Sequence, residues 1–317
     1  MKKLTIAIAT RNDEDTIADC ISSCATSGLD IVVGDMGSRD RTAEIAQDMG
    51  AKVLGLAFRD DFSECKNDLI SRCDSDWVLL LNGNEILARG AESIPNLASG
   101  ANKRVMIVQS QVLTKPLRLV CKNSRPVVRN PVFDYIDGDG VLCDIFVKST
   151  QVDKHEENAR LVRLWMSKSP LLSQPHYYMS CIHLARASYS DFLKTAKHYL
   201  FLEKSKLSSY YMTKYYLSMV LAYHAKDYQE SCRHSLDCIA DKPTMAEYWC
   251  LLGDCYYSVD KFDKAYHLYE NALIMGSRRS RDDSLPIHLD KYKSHPNNMM
   301  DLCRKALSSS RNFASSK

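Results

Sequence analysis

No apolar run in this 317-residue chain approaches the roughly eighteen residues that a membrane-crossing helix requires. Charge of one sign is not in excess either. Lys and Arg number 42 against 39 Asp and Glu, and the resulting +3 is too small to demand nucleic acid or a membrane surface as a partner. The twelve cysteines include no C-x-x-C pair. Met1-Lys2-Lys3 is followed by a strand-length apolar run, Leu4 to Ala9, and then by charge, which is not the pattern of a signal peptide. Scattered cysteines without a leader predict reduced thiols in a cytoplasm. H-E-x-x-H, G-x-S-x-G and any Cys-His cluster are missing, and no strand is followed by the phosphate-gripping G-x-G-x-x-G.

What is present is organised around two stretches in the first 85 residues. Val32-Val33-Gly34-Asp35-Met36-Gly37-Ser38 and Trp77-Val78-Leu79-Leu80-Leu81-Asn82-Gly83-Asn84-Glu85 are both apolar runs closed by a polar, glycine-containing turn. Such a run reads as a buried parallel strand that delivers its C-terminal end into a loop, the edge at which open α/β sheets bind ligands. Strands are predicted at Leu4–Ala9, Leu29–Val33, Lys52–Leu56, Trp77–Leu81 and Arg104–Gln109. Helices are predicted at Asp15–Ser27, from Asp40 or Ser38 to Met49, and at Glu64–Cys73. Glu85–Leu97 reads as short helical or irregular structure. Thr114–Asp144, with three prolines, reads as edge strands and loops closing over the crevice.

From Asn158 onward the period becomes helical, with self-similarity at about 34 residues. Trp249, Leu252, Gly253, Tyr256, Ala265, Tyr269 and Ala272 follow the tetratricopeptide pattern. Tyr215, Ala222, Ser231, Cys238 and Pro243 keep its register one repeat earlier, and His176–Ser205 supplies a third unit. Met299–Leu307 reads as a capping helix, with Ser308–Lys317 expected to fray. The expected domains are residues 1–155 and 156–317.

Asp35, with Gly37 and Ser38 behind it, can accept from a ribose or base, or it can serve with Ser38 as a helix cap. Thr10 and Asn12 end the neighbouring strand. Lys66, behind Asp60 and Asp61 and next to Asn67, can balance a diphosphate or lie on a solvated helix face. Asn82-Gly83-Asn84-Glu85 places two amides where a divalent cation would want carboxylates, which predicts weak metal binding or none. Asp134, Asp137, Asp139 and Asp144 are the carboxylates available as a general base. His155, His176, His183, His224, His234 and His288 read as packing or surface residues.

In these linked segments the chain resembles the family 2 glycosyltransferases of GT-A fold, in the branch followed by tetratricopeptide repeats. The resemblance rests on Asn12-Asp13-Glu14-Asp15-Thr16-Ile17, Asp35-Met36-Gly37-Ser38-Arg39-Asp40-Arg41-Thr42, Asp61-Phe62-Ser63-Glu64-Cys65-Lys66-Asn67 and Asp76–Glu85. It implies transfer of a sugar from a nucleotide-diphosphate donor, UDP-sugar first, with inversion and commonly with Mg²⁺ or Mn²⁺. Thr10, Asn12 and Asp35 would then hold the nucleoside. Asp61, Lys66 and Asn67 would approach the base or diphosphate, with Asn82 and Asn84 at the strand end. The metal-binding Asp-x-Asp is Asn82-Gly83-Asn84 here, which leaves Asn84 and Glu85 as doubtful metal ligands. Lys66 stands where the branch has arginine, and the His-Glu pair of the branch is missing, with Asp144 in the acid's place and Asp139 its rival for general base. Without a metal, Lys66, Arg125 or Arg129 would carry the leaving-group charge. The repeats imply a peptide or protein acceptor. A modified nucleic acid, through Arg278, Arg279, Arg281, Lys291 and Lys293, or a glycan stays open, as does oligomerisation. The competing reading is a non-catalytic repeat scaffold with a degenerate transferase domain.

Overall fold

The computed structural model describes residues 4–150, 154–280, 283 and 285–315. Residues 1–165 and 166–317 form two compact units, with the α/β sheet in the first and a helical repeat region in the second.

In the first unit the strands are β1 (Leu4–Thr10), β2 (Asp30–Asp35), β3 (Lys52–Gly55), β4 (Trp77–Asn82), β5 (Glu85–Arg89), β6 (Lys103–Gln109), β7 (Val112–Thr114), β8 (Leu117–Cys121), β9 (Val127–Arg129), β10 (Tyr135–Asp137) and β11 (Val141–Ser149). Helices α1 (Ile17–Cys24), α2 (Thr42–Asp48), α3 (Phe62–Arg72) and the short α4 (Ile94–Leu97) are interleaved with them, and α5 (His155–Lys168) follows. Every residue of β1 is buried, as its position between β2 and β4 requires. Leu4, Ile6 and Ile8 point into one core with Ile17, Cys20, Ile21 and Cys24 of α1. Ala7 and Ala9 point the other way, against Cys65, Leu69 and Ile70 of α3. The period-two alternation of a strand thus feeds two layers of helix, which explains why β1 is apolar at nearly every position.

The sheet runs β7-β6-β8-β4-β1-β2-β3, parallel from β4 to β3. Two expectations are corrected. Glu85–Arg89 is a strand, because β11, about sixty residues further on, pairs with it antiparallel. Thr114–Asp144 is not all edge and loop: β8 lies inside the sheet between β4 and β6, with Leu119 and Val120 fully buried. Both pairings are long-range, and nothing in the local pattern announces them.

The second unit consists of α6 (Ser173–Ala185), α7 (Tyr189–Leu202), α8 (Ser208–Val220), α9 (Tyr228–Asp241), α10 (Ala246–Tyr257), α11 (Phe262–Gly276) and α12 (Ser294–Ser315). The pairs α6/α7, α8/α9 and α10/α11 are the three repeats. At Gly253 a Cβ would stand 2.7 Å from the Tyr269 ring, so glycine is what lets α10 and α11 close together. Helix α12 starts five residues before the expected cap and is helical to Ser315, since no Gly or Pro interrupts 308–315. Lys317, in the stretch expected to fray, lies outside the described residues. Asp254 is buried where Tyr223, Tyr269 (2.7 Å) and His295 (3.0 Å) converge on its carboxylate. Among the described residues no helix is long and apolar enough to cross a membrane.

Burial opposes the Asp254 charge, but His295, Tyr223 and Tyr269 together hold its pKa below the ordinary value. A carboxyl depressed on folding contributes stability above its unfolded pKa, near 4, and loses it as pH falls through the folded value. Urea midpoints of the full chain should therefore drop between about pH 4 and pH 2, and Asp254→Asn should flatten that part of the profile. Gly253→Ala should lower stability by about 1–3 kcal/mol through overpacking, read in the same titrations at neutral pH.

Candidate active site

The parallel register puts three strand ends in one row. Thr10 is opposite Asp35, and Ala9 is opposite Asn82. The turn after β4 comes down onto β1: the Gly83 N–H donates to the Ala9 carbonyl at 3.0 Å. A Cβ on Gly83 would lie 2.5 Å from Thr10 Oγ1 and 2.8 Å from Asp13 Oδ2. Thr10, Asn12, Asp35 and Asn82 are therefore brought together at the sheet edge.

At the β1 and β2 ends the polar groups hold the loops. Thr10 Oγ1 donates to Asp13 Oδ2 at 2.8 Å, and Asp13 Oδ1 accepts from Lys154 Nζ at 2.7 Å. Asp35 accepts from the hydroxyl and backbone N–H of Ser38, so it shapes its own turn. Asn12, at φ 53°, donates its N–H to Ser38 Oγ and accepts from the Arg39 N–H at 2.8 Å. The N-cap position of α2 is Arg41, without a side-chain cap, and the expected Asp40, just before the helix, instead accepts from the Thr42 N–H at 3.1 Å. Arg11 ion-pairs with Glu157, donates to the Met36 carbonyl and lies 4.2 Å over the Phe58 ring. Burial, with Arg39 and Arg160 nearby, lowers its pKa.

Around β4 the arrangement is ionic and buried. Lys66, 5% exposed, donates from Nζ to Asn82 Oδ1 at 2.7 Å and to both oxygens of Asp134 at 2.8 Å. Asn82 in turn donates its N–H and its Nδ2 to the Glu85 carboxylate, at 2.8 and 3.1 Å. Glu85, 3% exposed, also pairs with Arg118 at 3.0 Å. Two cations thus face two carboxylates across one amide, and the cluster is neutral. Burial pushes the neighbouring Cys65 thiol up to about 11, so it is a packing residue and not a nucleophile.

The remaining expected site residues have structural partners of their own, or stand on other elements. Asp61 caps α3, accepting from the Ser63 and Glu64 N–H groups. Asn67 uses both ends of its amide on the Val128 backbone, at 2.8 and 2.9 Å. Asn84 donates to the Thr150 carbonyl at 2.7 Å. Asp139 is exposed in the β10–β11 turn. Asp144 is on β11 beside Gly90, five residues before Ser149, the residue paired with Glu85. That separation is about 16 Å along a strand, so Asp144 is not brought to the crevice. Sequence reasoning missed Arg118, which lies outside every glycine-closed run. It named Asp134 only as one of four carboxylates.

These donors do not fit Mg²⁺ or Mn²⁺. Asn82 Oδ1 is taken by Lys66, both Glu85 oxygens are taken by Asn82 and Arg118, and an ammonium stands beside the position a cation would need. Among the described residues no group of three or more His, Cys, Asp or Glu is placed to hold a metal ion.

Residues 5–114 match the family model described as Glycosyl transferase family 2. A TPR repeat-containing protein of Synechococcus elongatus is 34% identical over 87 residues, which is 27% of this chain and 22% of that protein. An uncharacterized glycosyltransferase of Rickettsia typhi is 36% identical over 94 residues, 28% of this chain and 30% of that protein. The chain thus spans less than a third of the length of these curated relatives. Among solved structures, MamA from Desulfovibrio magneticus RS-1 is similar at 18% identity and TM-score 0.38, over 52% of this chain and 88% of that one. Glucosyl-3-phosphoglycerate synthase from Mycobacterium tuberculosis, solved with Mn²⁺, UDP and glucosyl-3-phosphoglycerate, is similar at 19% identity and TM-score 0.31, over 35% of this chain and 46% of that one.

Gly83→Ala should push the β4–β5 turn off Thr10 and Asp13 and destabilise the chain by about 1–3 kcal/mol. Thermal unfolding of the variant checks this, and an unchanged midpoint would mean the turn does not rest on β1 as described.

Proposed function

With residues 5–114 carrying a family 2 glycosyl transferase domain, we propose that the chain transfers a sugar from a nucleoside-diphosphate donor without a divalent cation. The observation that carries this reading is the Lys66 ammonium set against Asn82 at the end of β4. A family that handles diphosphate at this strand end needs positive charge there, and here a lysine supplies it where carboxylates for a metal are lacking. Arg118, held by Glu85, adds a second cation to the same cluster. In the reaction an acceptor hydroxyl or thiol attacks the anomeric carbon, the bond from that carbon to the diphosphate oxygen breaks, and the acceptor proton passes to a carboxylate. Asp134 suits that last role better than Asp144 or Asp139, since it already touches Lys66. The donor is a UDP-sugar in this reading, and the acceptor a peptide or protein recognised by the repeats, which one curated relative also carries by name.

A second reading has one observation behind it. The Asn82–Asn84 pair offers no charged metal ligand, as a domain retained for binding alone would also show. Titration calorimetry of the full chain with UDP, GDP and ADP, first in EDTA and then in Mn²⁺, separates the two. Micromolar binding of one nucleotide, insensitive to metal and weakened at least tenfold in Lys66→Met, is the expected result. Lack of binding under both conditions would move the function to the repeats. In the double variant N82D/N84D, nucleotide binding should become stronger in Mn²⁺ than in EDTA, because two hard oxygens are restored at the strand end.

A further inference from the structure

The ammonium of Lys66 has three N–H donors, and all three are spent, one on Asn82 and two on Asp134. A diphosphate oxygen can reach this nitrogen only by displacing a partner. Asn82 is on a strand and is held through its own N–H and amide nitrogen by Glu85. Asp134 is on the β9–β10 connection, outside any strand. Of the two partners, Asp134 is the one that can yield.

We propose that Asp134 is an internal competitor for the donor: its carboxylate occupies the anion position on Lys66, and the diphosphate displaces it. This deepens the transferase reading and rests on it. The hairpin is anchored as far as Pro131, and the exchange falls on the residues between that anchor and β10. Asn67 pins Val128 with two hydrogen bonds, and the Phe62 N–H donates to the Pro131 carbonyl at 2.8 Å. Asp134 lies between the Pro131 anchor and the start of β10, and the side chains of the Lys66–Asp134 pair are 7% and 11% exposed. Both anions prefer the same desolvated ammonium, and a diphosphate brings more charge than one carboxylate, so the exchange favours the ligand once its concentration is sufficient. Displacement also leaves the Asp134 carboxylate without its cation beside the bound donor, where an acceptor proton has to go. The hairpin thereby ties donor occupancy to the availability of the base. Phe133 and Tyr135, 39% and 46% exposed, flank Asp134.

The test is calorimetric titration of the full chain and of Asp134→Asn with UDP, GDP and ADP in EDTA. The variant should bind the preferred nucleotide about tenfold more tightly than the wild type, a gain of about 1.4 kcal/mol, while its turnover falls. Equal or weaker binding by a folded variant, with the wild type binding normally, overturns the competitor role and leaves the transferase reading in place. Binding by neither protein, in any nucleotide, overturns both. Because Asp134→Asn leaves a buried lysine without a counter-ion and can fail to fold, amide exchange on the wild type provides the second measurement. Saturating nucleotide should speed exchange at residues 132–134 several-fold, and unchanged or slower exchange there overturns the proposal.

Discussion

A buried ammonium has to keep a counter-ion, and in this protein that requirement falls on Lys66. Its position on α3 faces the end of β4, where water is largely excluded. Two anchors satisfy it: the carbonyl oxygen of Asn82 nearby and the carboxylate of Asp134 from a hairpin 68 residues further along the chain. An unpaired charge at this depth would be far more unfavourable than any one hydrogen bond could offset. The hairpin is therefore held to the crevice as much by electrostatics as by its few buried side chains.

Asn82 fits this setting better than an aspartate would. Its amide offers an oxygen to Lys66 and a nitrogen to Glu85 at the same time. A carboxylate in the same place would confront Glu85 with a like charge and would lose the amide N–H that now donates to it. The amide at position 82 and the closed hydrogen-bond network therefore belong together, since each partner of the strand end is satisfied internally. Arg118 completes the balance by neutralising Glu85 from β8.

The helical unit obeys a related rule with different residues. Asp254 is buried on α10 and is tolerated because two phenols and an imidazole converge on it from separate segments. Glu247 lies on the same helix, 1% exposed, and is met by Arg279 and by the Tyr292 hydroxyl at 2.7 Å. Burial pushes its pKa up despite that partner. The small residues that let each helix pair close are those the repeat pattern marks, Gly253, Ala265 and Ala272. The charged anchors carry no periodic signal.

What the sequence determined by itself was whatever short-range pattern controls. The apolar runs closed by polar turns became β1, β2 and β4, and the 34-residue period became three helix pairs. Such features depend on neighbours within a few residues or one repeat, and their physics is visible in composition and spacing. Only the tertiary structure decided that β5 is a strand, that β8 is interior, that Asp61 and Asn67 serve as cap and anchor, and that Asp144 lies about 16 Å from the strand end it was expected to serve. It also decided that Lys66 meets Asp134. Each of these turns on pairing between segments distant in the chain, where many partners satisfy the same local pattern and the choice is made by burial and charge in the assembled fold.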